Sequence, residues 1–325
     1  MSAPVRTRVL GLLALVLVVA LVPGLVLAAL GYSDGATLVA LGALTGLLAC
    51  LMAGWRIALL AVVGLACATA VAIPVAGTPW AAATVVAAAS AAVALTSQRG
   101  ISAGLILAPI TLAFTASDPP LDALGEPERA VVAAAGTLGA GLFAVAVTHL
   151  LHARLPEGDH ASRSRAVTYA AMVSVLVWIA TWIVQLNDLG HAGAWAVMTI
   201  LLVVQPYLQD GSHIAVQRAL GTVVGFAIAL CFVLVSGVPI LVYAAGGLFA
   251  YLALVFKLSG RPYWQFAAML TPAVVLFEGA AGSLTTVAWE RLVATLLAVL
   301  ASLAAMLLVR PLYLAHAQRR GLDRW

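Results

Sequence analysis

Between two apolar stretches in AWAVMTILLVVQPYLQDGSHIAVQRALGTVVG, residues 194–225, stand Gln205-Pro206, Asp210, His213, Gln217 and Arg218. The chain holds 16 Lys and Arg and 12 Asp and Glu in 325 residues, so such a gathering needs a reason. Arg218 carries the sharpest chemistry. It lies six residues past Ser212, about 9 Å along a helix at about 1.5 Å per residue. Arg218, Thr222 and Gly225 share one helix face, and small residues on that face allow close helix approach. There a guanidinium could point into the bundle and grip a carboxylate with its planar fork. The alternative is a side chain snorkelling to the membrane surface as a positive-inside anchor. Pro206 removes a helical hydrogen bond and frees a carbonyl; Gln205 could pair with that carbonyl or offer its amide to a substrate. The plainer reading is a kink closing the helix. Asp210, Gly211 and Ser212 read as a turn and an N-cap, with His213 an exposed loop histidine or a group titrating near neutrality.

Further along, Thr271 and Pro272 interrupt an apolar run that ends at Glu278. Thr271 could hydrogen-bond a substrate and Pro272 would break the helix. A buried Glu278 would carry a coupling proton, whereas an interfacial one would be permanently ionised. Trp178 and Trp182 share a helical stripe, suited to an aromatic substrate or to the interfacial aromatic belt. Glu290 and Arg291 precede the last apolar run, where the helix dipole favours the acid. No G-x-S-x-G elbow, HExxH or Walker loop occurs, so no enzyme chemistry, metal site or cofactor is expected. His149 and His152 are three residues apart without a Cys or acidic partner. Cys50, Cys67 and Cys231 lie in apolar runs and read as small packing residues.

The elements that must position these groups follow from composition. The chain is 64% hydrophobic and 9% charged, against about 25% charged in ordinary soluble domains. Apolar runs fall at roughly 8–30, 36–54, 57–76, 80–96, 101–117, 130–151, 165–186, 191–208, 214–236, 238–256, 263–281 and 286–309. Each comes close to the ~20 residues that span a bilayer. This predicts an all-α polytopic membrane protein of about twelve spans, in contact with the lipid bilayer. The first run is longer than a signal core of about 7–15 residues, so a retained helix is expected. Arginines and lysines alternate with acids from break to break, which places both termini inside. The positive charge thus serves orientation, and no nucleic-acid partner is implied.

Two arginines depart from that alternation and expose a repeat. Glu128-Arg129 before the sixth run matches Glu290-Arg291 before the twelfth, and Pro109 matches Pro272. Gly54 and Gly64 likewise stand 157 residues before Gly211 and Gly221. Two parallel six-helix repeats follow, residues 1–152 and 165–310, joined by a linker at 153–164 and followed by a basic tail at 311–325. Parallel repeats occur in transporters. The second repeat holds most of the polar residues.

Trp195, Thr199, Gln205-Pro206, Arg218, Gly221-Thr222 and Gly225 together resemble the signature of the FUSC family, the fusaric-acid-resistance-like and aromatic-acid-exporter membrane proteins. Tyr263, Thr271-Pro272, Arg291 and Thr295 extend the resemblance over residues 165–310. It implies proton-driven efflux of small organic or aromatic acids across a bacterial inner membrane. Large cytoplasmic domains found in many members have no counterpart here. The reading that joins the two lines is a secondary exporter of a small-molecule substrate, compatible with a homo-oligomer. Gln205, Asp210, Arg218, Thr271, Trp178 and Trp182 would serve the substrate, and Glu278 the proton. The alternative is a non-transporting membrane scaffold of an envelope complex.

Overall fold

In a bilayer, backbone polar groups must be satisfied within the segment, which leaves apolar runs the helix. The computed structural model describes residues 3–155, 158–206, 208–232, 238–279 and 283–320, and every regular element among them is helical. In chain order these are α1 (Ala3–Ala29), α2 (Ala36–Ala53), α3 (Trp55–Val75), α4 (Pro79–Leu95), α5 (Ser102–Leu105), α6 (Leu107–Ser117) and α7 (Glu126–Leu150). Then come α8 (Arg163–Leu186), α9 (Gly190–Val203), α10 (Leu208–Cys231), α11 (Pro239–Leu258), α12 (Tyr263–Gly279) and α13 (Leu284–Arg320). Among the described residues seven helices are long and apolar enough to cross a membrane, beside five shorter apolar segments. The chain is a polytopic helical membrane protein. A count of twelve spans requires the five shorter segments to cross as well.

The helices form two compact units, Ala14–Leu202 and Val203–Trp325 with Met1–Leu13. In the first unit α2 and α3 both pack on α7, α4 packs on α8, and α6 touches α2, α3 and α4. Backbones come very close at the α2–α7 crossing. A Cβ on Gly46 would stand 2.5 Å from the Gly141 carbonyl oxygen, so Gly46→Ala must push the helices apart. The expected cost is about 1–3 kcal/mol, read as a lower unfolding midpoint in detergent. Gly139→Ala, with nothing within 4 Å of its Cβ, is the neutral comparison. The linker is tied down, with Leu155 N–H donating to Leu51 O at 2.8 Å and Ala161 N–H to Ser97 O at 3.0 Å.

Three prolines do three different things. Pro109 interrupts the fifth run, and the helix breaks at Ile106 between α5 and α6, because the ring clashes with the carbonyl four residues back. Pro206 ends α9 at Val203, so the eighth run is shorter than its apolar residues suggest and Gln205-Pro206 lies outside any helix. A residue before proline is driven out of the helical region. Pro272, expected to break its helix, does not: α12 runs unbroken from Tyr263 to Gly279.

Two helix starts also differ from the sequence reading. α10 begins at Leu208, so Asp210, Gly211 and Ser212 lie within its first turns and are not themselves the turn that precedes the helix. Gly211 is a packing residue, since a Cβ there would lie 2.8 Å from Met306 Cε. α13 begins at Leu284, with the Ser283 hydroxyl accepting from Thr286 N–H at 3.4 Å. Glu290 is therefore beyond the first turn, out of reach of the dipole effect. In the first unit the matching Arg129 pairs with Asp122 at 2.9 Å. Cys67 and Cys231 are exposed, and only Cys50 is buried as a packing residue.

Candidate functional site

The second unit holds the site. Its α10 packs on α12 and α13, and α11 packs on α12. Buried positions on α10 recur as Gly211, Ala215, Arg218, Thr222, Gly225 and Ala229. On α13 they recur as Ala288, Arg291, Thr295, Ala298, Ser302 and Met306. Both are single-face helical stripes, yet each carries a guanidinium through an apolar interface, with one hydroxyl on α10 and two on α13.

Register follows from the ends. Gly211 meets Met306, and Ala229 shares a hydrophobic cluster with Ala288, so α10 and α13 are antiparallel. Thr222 then stands level with Thr295, and Gly225 level with Arg291. Against α12 the direction is parallel: Gly221 faces Trp264 and Ala267, and Gly225 faces Ala268, Thr271 and Pro272. Pro272 has no N–H to give the Ala268 carbonyl, its helical acceptor. That oxygen lies 2.8 Å from where a Gly225 Cβ would stand. The bare glycine makes room for both the proline and the carbonyl, which is how α12 stays straight.

Arg218 is 1% exposed. Within the chain it points inward, and the snorkelling alternative does not apply. Its Nη1 donates to the Tyr263 hydroxyl at 3.4 Å, while Nε has no hydrogen-bond partner among the described residues. The Thr222 hydroxyl, one turn on, is also buried and unpartnered among them. Arg291 is 2% exposed. Tyr263 has Lys257 Nζ 5.7 Å above its ring, so two cations address one phenol from different sides. Beside it Gln217 Oε1 accepts from Trp264 N–H at 3.0 Å, capping the start of α12, while the Gln217 amide meets His213 Nε2. A guanidinium taken from water without a counter-charge costs several kcal/mol. The arrangement is a buried cationic socket whose chemistry could hold an anion.

The other nominated residues fall as follows. Thr271 is buried and its hydroxyl donates to Ala267 O at 2.9 Å, so its proton is already used. Gln205 is half-buried in the break after α9. The side chains of Asp210 and Glu278 lie outside the described residues. Glu290 is exposed. In the first unit, Trp178 and Trp182 stack with ring centroids 5.8 Å apart, and Trp178 Nε1 donates to Thr84 Oγ1 at 3.1 Å. Trp195 packs edge-on against Phe114 at 4.9 Å, and Thr199 is fully buried. Sequence reasoning gave Gln217 and Tyr263 no site role. Their partners are 47 and 45 residues away, beyond any local pattern.

Membrane helices enclosing a buried cationic socket define a polytopic membrane protein. Residues 176–305, which contain that socket, match the family described as fusaric acid resistance protein-like. Over these residues the chain is FUSC-like, as its motif residues indicate. No curated protein and no solved structure matches the chain.

Proposed function

We propose that the chain is a secondary exporter of small organic acids, aromatic ones among them, driven by protons across a bacterial inner membrane. The observation that carries this reading is Arg218, buried with only a phenol for a hydrogen-bond partner among the described residues. A carboxylate would give it a counter-charge that none of the described residues supplies, through the paired hydrogen bonds that a guanidinium makes. Tyr263 accepts from Arg218 and keeps its own proton to donate to the same carboxylate. Gln205 and Asp210 would line the approach, and Glu278 would carry the proton. Thr271 has only acceptor capacity left, so it shapes the site through Gly225. No cofactor and no bond-making step is called for.

The transport reading sits on twelve spans in two parallel repeats, 1–152 and 165–310, with both ends inside. The five shorter apolar segments support the count. Packing supports the repeat, since α3 touches α6 and α7 as α10 touches α12 and α13. Reconstituted into vesicles, the protein should move benzoate faster when a pH gradient is imposed. Flux indifferent to the gradient would remove proton coupling from the account.

A further inference from the structure

His149 and His152 have no part in the exporter reading, yet both line a cavity of about 150 Å³ in the first unit. It lies where the apolar helices α2 and α7 end and α3 begins, and helices that cross a bilayer would put it at the membrane surface. Gly54, Trp55, Thr148 and Arg154 complete the lining that matters, and no carboxylate is among the lining residues. The neutral polar groups are occupied. The Thr148 hydroxyl donates to Ala144 O at 2.7 Å, and Cys50 Sγ is turned to Val145 O. What faces a ligand is cationic or aromatic.

Two backbone features hold these groups in place. Gly54 has φ +82°, and a Cβ there would stand 3.8 Å from Arg154 Nη2, so the guanidinium passes close over a bare backbone. His152 has φ +50°, a conformation uncommon for a non-glycine residue and worth reading as a site constraint. Its Nδ1 is 3.0 Å from Leu150 O. A carbonyl can only accept, so Nδ1 is the donor in this contact, which fixes the orientation of the ring. The His149 ring lies 6.1 Å from His152 and 5.7 Å from Trp55, and the Arg56 guanidinium covers the indole at 5.3 Å. Among the described residues Arg154 makes no ion pair.

We propose that this cavity binds a phosphate group at the membrane surface, gripped by Arg154 with His149 and His152 beside the Trp55 wall. A guanidinium fork suits phosphate oxygens, and basic pockets between spans at this depth suit lipid headgroups. The group could belong to an anionic phospholipid or to free phosphate.

Thermal unfolding of the purified full chain, titrated with phosphatidylglycerol, phosphatidylcholine or inorganic phosphate, separates the sources. Stabilisation by phosphatidylglycerol but not phosphatidylcholine assigns the lipid headgroup. Stabilisation by inorganic phosphate as well, or by it alone, assigns the free anion. In either case Arg154→Gln should weaken the effect at least about tenfold, the loss expected for a charged hydrogen bond. His149→Gln should weaken it too, whereas Arg99→Gln, an exposed change outside the cavity, should not. No stabilisation by any probe, or an equal loss in Arg99→Gln, would overturn the proposal.

Discussion

Arg218→Met should yield a protein at least as stable as the parent that has lost carboxylate transport by at least about 100-fold, equivalent to ~2.7 kcal/mol. The two halves of this expectation come from one fact. Arg218 is 1% exposed and lies against an interface of glycine, alanine and threonine. Replacing a buried ion pair with apolar side chains of similar volume is often neutral, or stabilising by about 1–4 kcal/mol. A guanidinium with no ionic partner among the described residues has less attraction to lose. A purely structural arginine would behave differently, since its loss would lower the unfolding midpoint. Arg218→Lys retains the charge but not the fork, and should fall between parent and Arg218→Met in transport. Detergent unfolding and vesicle uptake on the same preparations give both readings. A destabilised Arg218→Met protein would mark the guanidinium as a packing element.

Gly221→Val is expected to be the most damaging single change to the second unit. A Cβ at this position would lie 2.5 Å from the Trp264 carbonyl oxygen and 2.6 Å from the Ala267 Cβ. The first of these is backbone and cannot step aside, so α10 and α12 must separate. Gly221→Ala should cost about 1–3 kcal/mol, and the branched valine more, enough to deplete folded protein in the membrane. The sequence repeat supplies the comparison. In the proposed repeat Gly64 is the counterpart of Gly221, and nothing lies within 4 Å of its Cβ. Gly64→Val should therefore accumulate and unfold like the parent. Equal behaviour of the two valine variants would contradict the close α10–α12 contact on which the Arg218 socket depends.

The contrast between these glycines shows what could be read from sequence. Helices were legible because apolar runs in a bilayer have no other form to take, and the inward face of α10 was legible in the spacing of Arg218, Thr222 and Gly225. Proline behaviour was not. Pro109 and Pro272 occupy matching places in the proposed repeat, yet one breaks its helix and the other does not. The difference at Pro272 is the room Gly225 provides for the ring and for the Ala268 carbonyl, a contact across two helices. Helix starts were misplaced for two reasons. At α13 the Ser283 cap was present in the sequence and outweighed by the more conspicuous Glu290. At α10 the Asp-Gly-Ser run has turn chemistry, but Pro206 had already opened the chain two residues before Leu208. Tyr263, the partner of Arg218, needed the fold to be found.

Direct binding to the purified full chain tests the central claim, with benzoate and the uncharged isostere benzamide titrated by calorimetry into the parent protein and Arg218→Met. The account predicts saturable benzoate binding to the parent, little binding of benzamide, and loss of the benzoate signal in Arg218→Met. Equal binding of acid and amide, or benzoate binding undiminished by Arg218→Met, would contradict it.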